Sequence, residues 1–497
     1  MLGPNAAGVR ARFDKLCSMH WLFSRLNRHT RPRVLTALIL GCAIHLASGR
    51  SAMCSLDAFA LIQPGHPADV LQAGLVLPGD YATRPDLSRP LSLLKFPSSI
   101  TFDASSAAPW THTGSDPQSL RYMSTNSTLH FRRNVGSSVV SGGACLESES
   151  ATWREDGSVW TRAETSVNSQ PLGLALSNGP YRAGISAGRA HLTGFADSSR
   201  LAGLGSTDEA TTGRLDWGCP DYAGYDLEAA RDCGKIDLGV GFGKGSGALR
   251  ASTVIDLQEY SLNQDAEAQQ LAFYAALRSG SSLSILQIGQ NRSGSHGLVL
   301  MGNLEVGSAH GRTESAYGSW YLERVSGSRT HVFSLEYRDT SAGFSAAAGG
   351  FLFPGIFSSA YHTQNELDLK RASVRYGAEH RRGSTSVRYS LALSYGIADI
   401  RIFATRAGFL QPRRVLLDER LDNSGLWLLS PALGMGYRKG RFSADLGVFA
   451  ELGYLTKRFQ HLGRSKPAPP PPGPLPEKRG SRVLPGLAVG LTLRQEF

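Results

Sequence analysis

From Val387 to Ala398 every second residue is large and apolar: Val387, Tyr389, Leu391, Leu393, Tyr395 and Ile397 alternate with Arg388, Ser390, Ala392, Ser394, Gly396 and Ala398. Side chains on a β-strand point to opposite faces in turn, so this run predicts a strand with one greasy wall and one wall of small and polar groups. The same grammar holds at 427–438, 443–454 and 482–497, and Lys439-Gly440 joins the first two of these by a tight turn. With more noise it recurs at 366–380, 343–353, 329–338, 314–325, 297–308, 282–290 and 236–243, which makes eleven strands from residue 235 onward. Upstream, 119–132, 152–162 and 181–195 read as strands too. A soluble sandwich would bury the greasy wall and wet the other, and a wetted wall rarely needs so many glycines. Lipid on one side and a lumen of small and polar groups on the other explains both walls, so the expected fold is all-β, an antiparallel transmembrane β-barrel.

The final strand adds a resemblance. Val483, Pro485, Leu487, Val489, Leu491, Leu493 and Phe497 fall at alternate places, with only Gln495 breaking the row. A strand of this kind closing on an aromatic residue resembles the C-terminal signature of bacterial outer-membrane β-barrel proteins. The resemblance implies that outer-membrane lipid faces the greasy wall and that the outer-membrane assembly machinery reads this strand, with Phe497 as its signal. It also implies a Gram-negative-type outer membrane and a periplasmic position for Phe497. The turns at Lys439-Gly440, Arg381–Ser384 and Asp339–Ala342 are then periplasmic and short, and the connections 405–426, 354–365 and 459–481 are extracellular and long. With both ends of the mature chain in the periplasm the strand total is even, and 12 to 16 are expected. The 459–481 connection holds Pro467 and Pro469 to Pro472, which favour an extended polyproline segment: a plain solvated loop, or a stiff recognition element.

The opening of the chain is expected to be a signal peptide over 1–49. Val34–Ser48 is apolar, follows Arg25, Arg28, Arg31 and Arg33, and is too short to be trusted as a spanning helix. Met19 is the more ordinary start for such a leader; a lipoprotein reading at Cys42 fits its motif poorly. The net charge of +11 changes meaning with this division, because residues 1–50 carry eight Lys or Arg and one acid and leave only +4 for the rest. No nucleic-acid footprint follows from it. Residues 50–115 read as an N-terminal periplasmic extension or plug, and 116–497 as the barrel. Within the barrel, 246–281 shows helical spacing, above all Asp265–Arg278 followed by Gly280, and is expected to be a small helical periplasmic insertion that plugs the barrel from below, docks a periplasmic partner or lies as a lid on the rim.

Candidate chemistry is sparse. Cys219 and Cys233 flank an acidic loop, and a disulfide between them is expected to stabilise it in an oxidising compartment. The glycines at 239, 241, 243, 245 and 247 keep a strict period of two, which suits a barrel interior and not a phosphate loop, and no zinc spacing or other cofactor motif is present. His296, His331 and His380 come without a partner arrangement for hydrolysis, so an outer-membrane lipid hydrolase is the third reading, behind a channel and a surface-display barrel. The charges on the polar wall are the main clue. Glu336, Arg338, Arg388, Arg438, Asp445, Glu451, Arg494 and Glu496 are all expected to face the lumen, where they bias the passage of small solutes or pair across strands to hold the barrel shut.

Overall fold

The computed structural model describes residues 66–84, 86, 89–109, 119–155, 159–198, 213–255, 258–353, 356–408, 414–456, 460–461 and 483–497. Its strands are β1 (Ser99–Pro109), β2 (Ser119–Val135), β3 (Ser138–Glu155), β4 (Val159–Asn178), β5 (Tyr181–Ser198) and β6 (Gly213–Asp232). They continue as β7 (Ile236–Ile255), β8 (Gln258–Ser279), β9 (Ser282–Met301), β10 (Leu304–Ser326), β11 (Arg329–Phe353) and β12 (Ile356–Arg382). The last are β13 (Thr385–Gly408), β14 (Arg414–Lys439), β15 (Phe442–Leu455), the two-residue β16 (Gln460–His461) and β17 (Val483–Glu496). From β1 to β15 each strand pairs antiparallel with the next, and β17 pairs with β15 on one side and β1 on the other, so the sheet closes on itself. Because β16 pairs with β14 beyond the point where β15 leaves off, the two form one stave, and the ring has 16.

The greasy wall faces outward. Val387, Leu391, Leu446 and Leu491 are 48%, 49%, 45% and 37% exposed, so they share no protein core. Ser390, Ala392 and Ser394, between them in sequence, are buried toward the lumen. In hydrocarbon an unpaired peptide group costs several kcal/mol, and a closed ring of paired strands is the sheet that avoids this. The chain is therefore a transmembrane-type β-barrel. At one end, here called the inner end, neighbouring strands are joined by turns of two or three residues, such as Gly383-Ser384 and Gly440-Arg441. The φ of 59° at Gly383 and 58° at Gly440 needs glycine, and a glycine at the first central place matches the twist of a hairpin.

The strands run far past the 9–11 residues that span a membrane, up to 27 in β12. On β12 the outward row passes from Tyr376, Val374 and Ala372 to Lys370, Asp368 and Glu366; on β8 it passes from Leu277, Phe273 and Leu271 to Gln269, Glu267 and Asp265. The outer half of the barrel thus rises above the apolar belt with a polar exterior.

That rise corrects several expectations. Residues 246–255 and 258–279 are not helical: they are paired strand of β7 and β8, and the turn at 280–281 that follows lies at the inner end. Above the belt the outward Asp265, Glu267 and Gln269 are exposed while the inward Gln264, Ala266 and Ala268 are buried. The wall polarity is inverted, and an alanine-rich run of that kind imitates a helix. Asp339–Ala342 is not a turn but the middle of β11, for the same reason. The supposed loops 405–426 and 354–365 are mostly strand, with only 409–413 and 354–355 between elements. The barrel begins at Ser99, before the expected boundary at 116. The signal-peptide region 1–49 and the proline run at 467–472 lie outside the described residues.

The disulfide expectation also fails. Cys219 is buried in mid-β6 and Cys233 is exposed in the β6–β7 turn, and both are free. Along a strand their separation is roughly 45 Å at 3.3 Å per residue, against about 4.4–6.8 Å between the Cα atoms of a disulfide. In the folded protein, maleimide is expected to label Cys233 promptly and Cys219 only after unfolding. Mass spectrometry of the labelled peptides checks both outcomes; equal protection of the two thiols without reductant would restore the bond.

Candidate functional site: a plugged lumen

The described residues between 66 and 98 lie inside the inner half of the barrel and include three 3-10 turns, Pro67–Val70, Gly79–Tyr81 and Pro90–Lys95. Prolines open the first and third turns, where a missing N–H costs nothing. Leu71, Leu75, Leu77, Tyr81 and Leu91 pack with wall residues Ala230, Tyr274, Ala276, Ile285, Tyr321 and Val332, and Leu93 packs with Val139 and Ala175. Each such leucine is worth roughly 1.5–3 kcal/mol relative to exposure.

The wall's glycines let the plug come close. A Cβ at Gly377 would overlap the Leu71 carbonyl oxygen, one at Gly447 would lie 2.9 Å from Pro67 Cα, and one at Gly184 would lie 2.8 Å from Pro90 Cβ. The glycine-rich lumen face predicted from sequence is thus a docking surface for the chain's own backbone.

Polar contacts fix the plug from several sides. His66 Nδ1 accepts from the Ala68 amide at 3.1 Å, which leaves Nε2 to donate to Asp103 Oδ1 at 2.7 Å. The Thr492 hydroxyl donates to the same oxygen at 2.6 Å. Asp103 on β1 and Thr492 on β17 are direct partners across the strand pair that closes the ring, so His66 sits on the seam. Tyr81 donates to Asp237, Arg182 bridges Asp80 and Asp237, and the Leu91 amide donates to Glu228 Oε2 at 2.9 Å. The Tyr81 phenol is held well above its ordinary pKa, first by burial and then by its bond to Asp237. Phe96 lies between Arg132, 5.8 Å from its ring centre, and Arg494 at 5.3 Å.

The eight charged residues predicted for the lumen fall into separate places. Glu336 stands among Arg338, Arg371 and Arg375. Arg388 bridges Asp445 at 2.8 Å and Glu379 at 2.9 Å. Arg438 and Glu496 pair at 3.0 Å on the inner rim, where the Arg438 side chain is 65% exposed. Glu451 accepts from the Ser430 hydroxyl at 3.2 Å, and Arg494 belongs to the Phe96 sandwich. Sequence reasoning missed Arg371, Arg375, Glu379 and Arg182. The parity set by the outward Val374 and Tyr376 places the three on β12 inward, and was the signal available.

Above the plug the lumen wall turns apolar. Val167, Leu192, Trp217, Leu249, Leu262 and Phe344 form one buried cluster, and Leu367, Leu369, Leu426 and Leu428 another. The nominated histidines are elsewhere: His296 is outward, in register with Asp265 and His310, the His331 Nδ1 lies 3.0 Å from the Tyr376 hydroxyl, and His380 is exposed at the inner end of β12. Phe497 is 53% exposed and stacks on Phe131 at 6.3 Å. Among the described residues no group of three His, Cys, Asp or Glu could hold a metal ion.

No protein-family model matches the chain, and no curated protein does. Solved structures with which it aligns include the Pseudomonas putida toluene transporter TodX, at 11% identity over 88% of this chain and 99% of that one, with a TM-score of 0.42. A Pseudomonas aeruginosa FadL homologue aligns at 10% identity over 88% and 99%, with a TM-score of 0.44. CdiB from Acinetobacter baumannii aligns at 12% identity over 79% and 60%, with a TM-score of 0.38. The barrel itself rests on the strand pairing described above.

Proposed function

We propose that this chain is a channel of a Gram-negative-type outer membrane that passes small solutes through its lumen, with its own segment 66–98 as the constriction. Short turns at the end where β1 begins and β17 finishes support a periplasmic position for that end, and the polar collar supports an extracellular one for the other. The carrying observation is the layering of the lumen: an apolar outer half that leads down to charged residues and a seated plug. A ring of this strand number is wide enough for an aqueous path unless something fills it, and here a short segment fills the inner half. Solute entering from outside would meet apolar walls first and the plug last.

Proteoliposomes holding the full chain are expected to take up small solutes faster than protein-free vesicles, with stepwise conductance in planar bilayers. If both assays stayed silent for a correctly inserted barrel, the channel reading would be lost. A second reading, a display barrel acting through its outer surface, draws on the collar, where exposed Asp265, Glu267, Arg312, Glu366, Asp368 and Lys370 stand clear of the belt.

A further inference from the structure

The inward face of β12 changes character within a few positions. Leu367 and Leu369 belong to the apolar cluster with Leu426 and Leu428, and Arg371 and Arg375 follow them toward the plug. On the next strand the register sets Arg338 directly opposite Arg371. Like charges in that position are destabilising, so the pair calls for a compensating anion. One carboxylate serves three guanidiniums: Glu336 lies 2.9 Å from Arg375, 3.5 Å from Arg338 and 3.7 Å from Arg371, and only the first of these is a hydrogen bond. The Arg375 side chain is 9% exposed, and its Nε is buried with no hydrogen-bond partner. Glu451, the other nearby carboxylate, takes a hydrogen bond from Ser430 on one oxygen and acts on Arg371 through its charge. A buried guanidinium donor left without an acceptor is costly unless one is supplied.

We propose that this place on the lumen wall binds organic monocarboxylates: the carboxylate oxygens take the free donor capacity of Arg371 and Arg375, and the apolar part of the molecule lies on Leu367, Leu369 and Leu428. Guanidinium forks match the planar, two-oxygen geometry of a carboxylate, and the leucines begin one inward position above Arg371. An inorganic anion would use the arginines and leave the leucines idle. This deepens the channel reading by naming a class of solute, but the site stands or falls by binding and not by flux.

The test is calorimetric titration of the purified full chain in detergent micelles with benzoate, acetate and benzyl alcohol. Benzoate is expected to bind more tightly than both, since acetate lacks the ring and benzyl alcohol the charge. Arg371→Gln with Arg375→Gln is expected to weaken benzoate by at least about tenfold, the scale of one charge-assisted bond, and to leave benzyl alcohol unchanged. Glu336→Gln removes the resident carboxylate and is expected to tighten benzoate. Benzyl alcohol binding as well as benzoate to the unaltered protein, or benzoate affinity indifferent to Glu336→Gln, overturns the proposal even if the double variant does not fold. Benzoate binding by a barrel that passes no solute would remove the channel reading and leave this site standing.

Discussion

Replacing Gly377 with valine is expected to unseat the first turn of the plug and raise the single-channel conductance severalfold. The reason is steric and local. At Gly377 even a methyl group overlaps the Leu71 carbonyl oxygen, which is main chain and cannot swing aside as a flexible side-chain tip would. The β12 backbone is paired on both sides with β11 and β13 and cannot retreat either. The plug must move, and with it go the burial of Leu71 and the approach of Pro67 and Val70 to Gly447. The barrel ring does not depend on these contacts, so insertion and heat-modifiable mobility on gels should be kept. Planar-bilayer recordings of the variant beside the unaltered chain check this; an unchanged conductance would mean that the plug does not set the constriction.

An arginine at Leu391 is expected to destabilise the barrel by about 2–4 kcal/mol, the cost of that side chain at the mid-depth of a bilayer. Leu391 lies midway along the outward row from Val387 to Ile397 and is 49% exposed on the ring's outer wall. The same change at Asp368, also outward and exposed but on the collar, should stay within about 0.5 kcal/mol, as surface substitutions usually do. Urea unfolding from lipid vesicles measures both. Equal, small effects would mean that water and not hydrocarbon lies against Leu391, and the membrane reading would fail.

What was legible in the sequence follows the lipid. Where hydrocarbon faces the wall, selection fills every second position with large apolar residues, and Val387–Ala398 is read without a mismatch as part of β13. Where the strands leave the lipid, the outward residues turn polar and the inward ones turn small or apolar, so β8 imitates a helix around Asp265–Arg278 and β11 imitates a turn at Asp339–Ala342. The lumen charges were placed by parity alone, which gives a face but no partner: that Glu336 serves Arg338, Arg371 and Arg375 at once follows from the register of β11 on β12. The plug's seat was not legible, because a glycine announces that something approaches closely without saying what. Gly377 and Leu71 are separated by most of the barrel's sequence, and only the closed ring brings them together.

The seam carries a consequence for assembly. Asp103 and Thr492, which together receive His66, are 389 positions apart and meet only when the last stave docks against the first. A ring left open by even one strand has no complete cradle for that imidazole. The latch at His66 therefore acts as a completion check: in a truncated or unzipped chain the His66 end of the stopper stays unfastened, even where Tyr81 and Leu91 keep their bonds to Asp237 and Glu228.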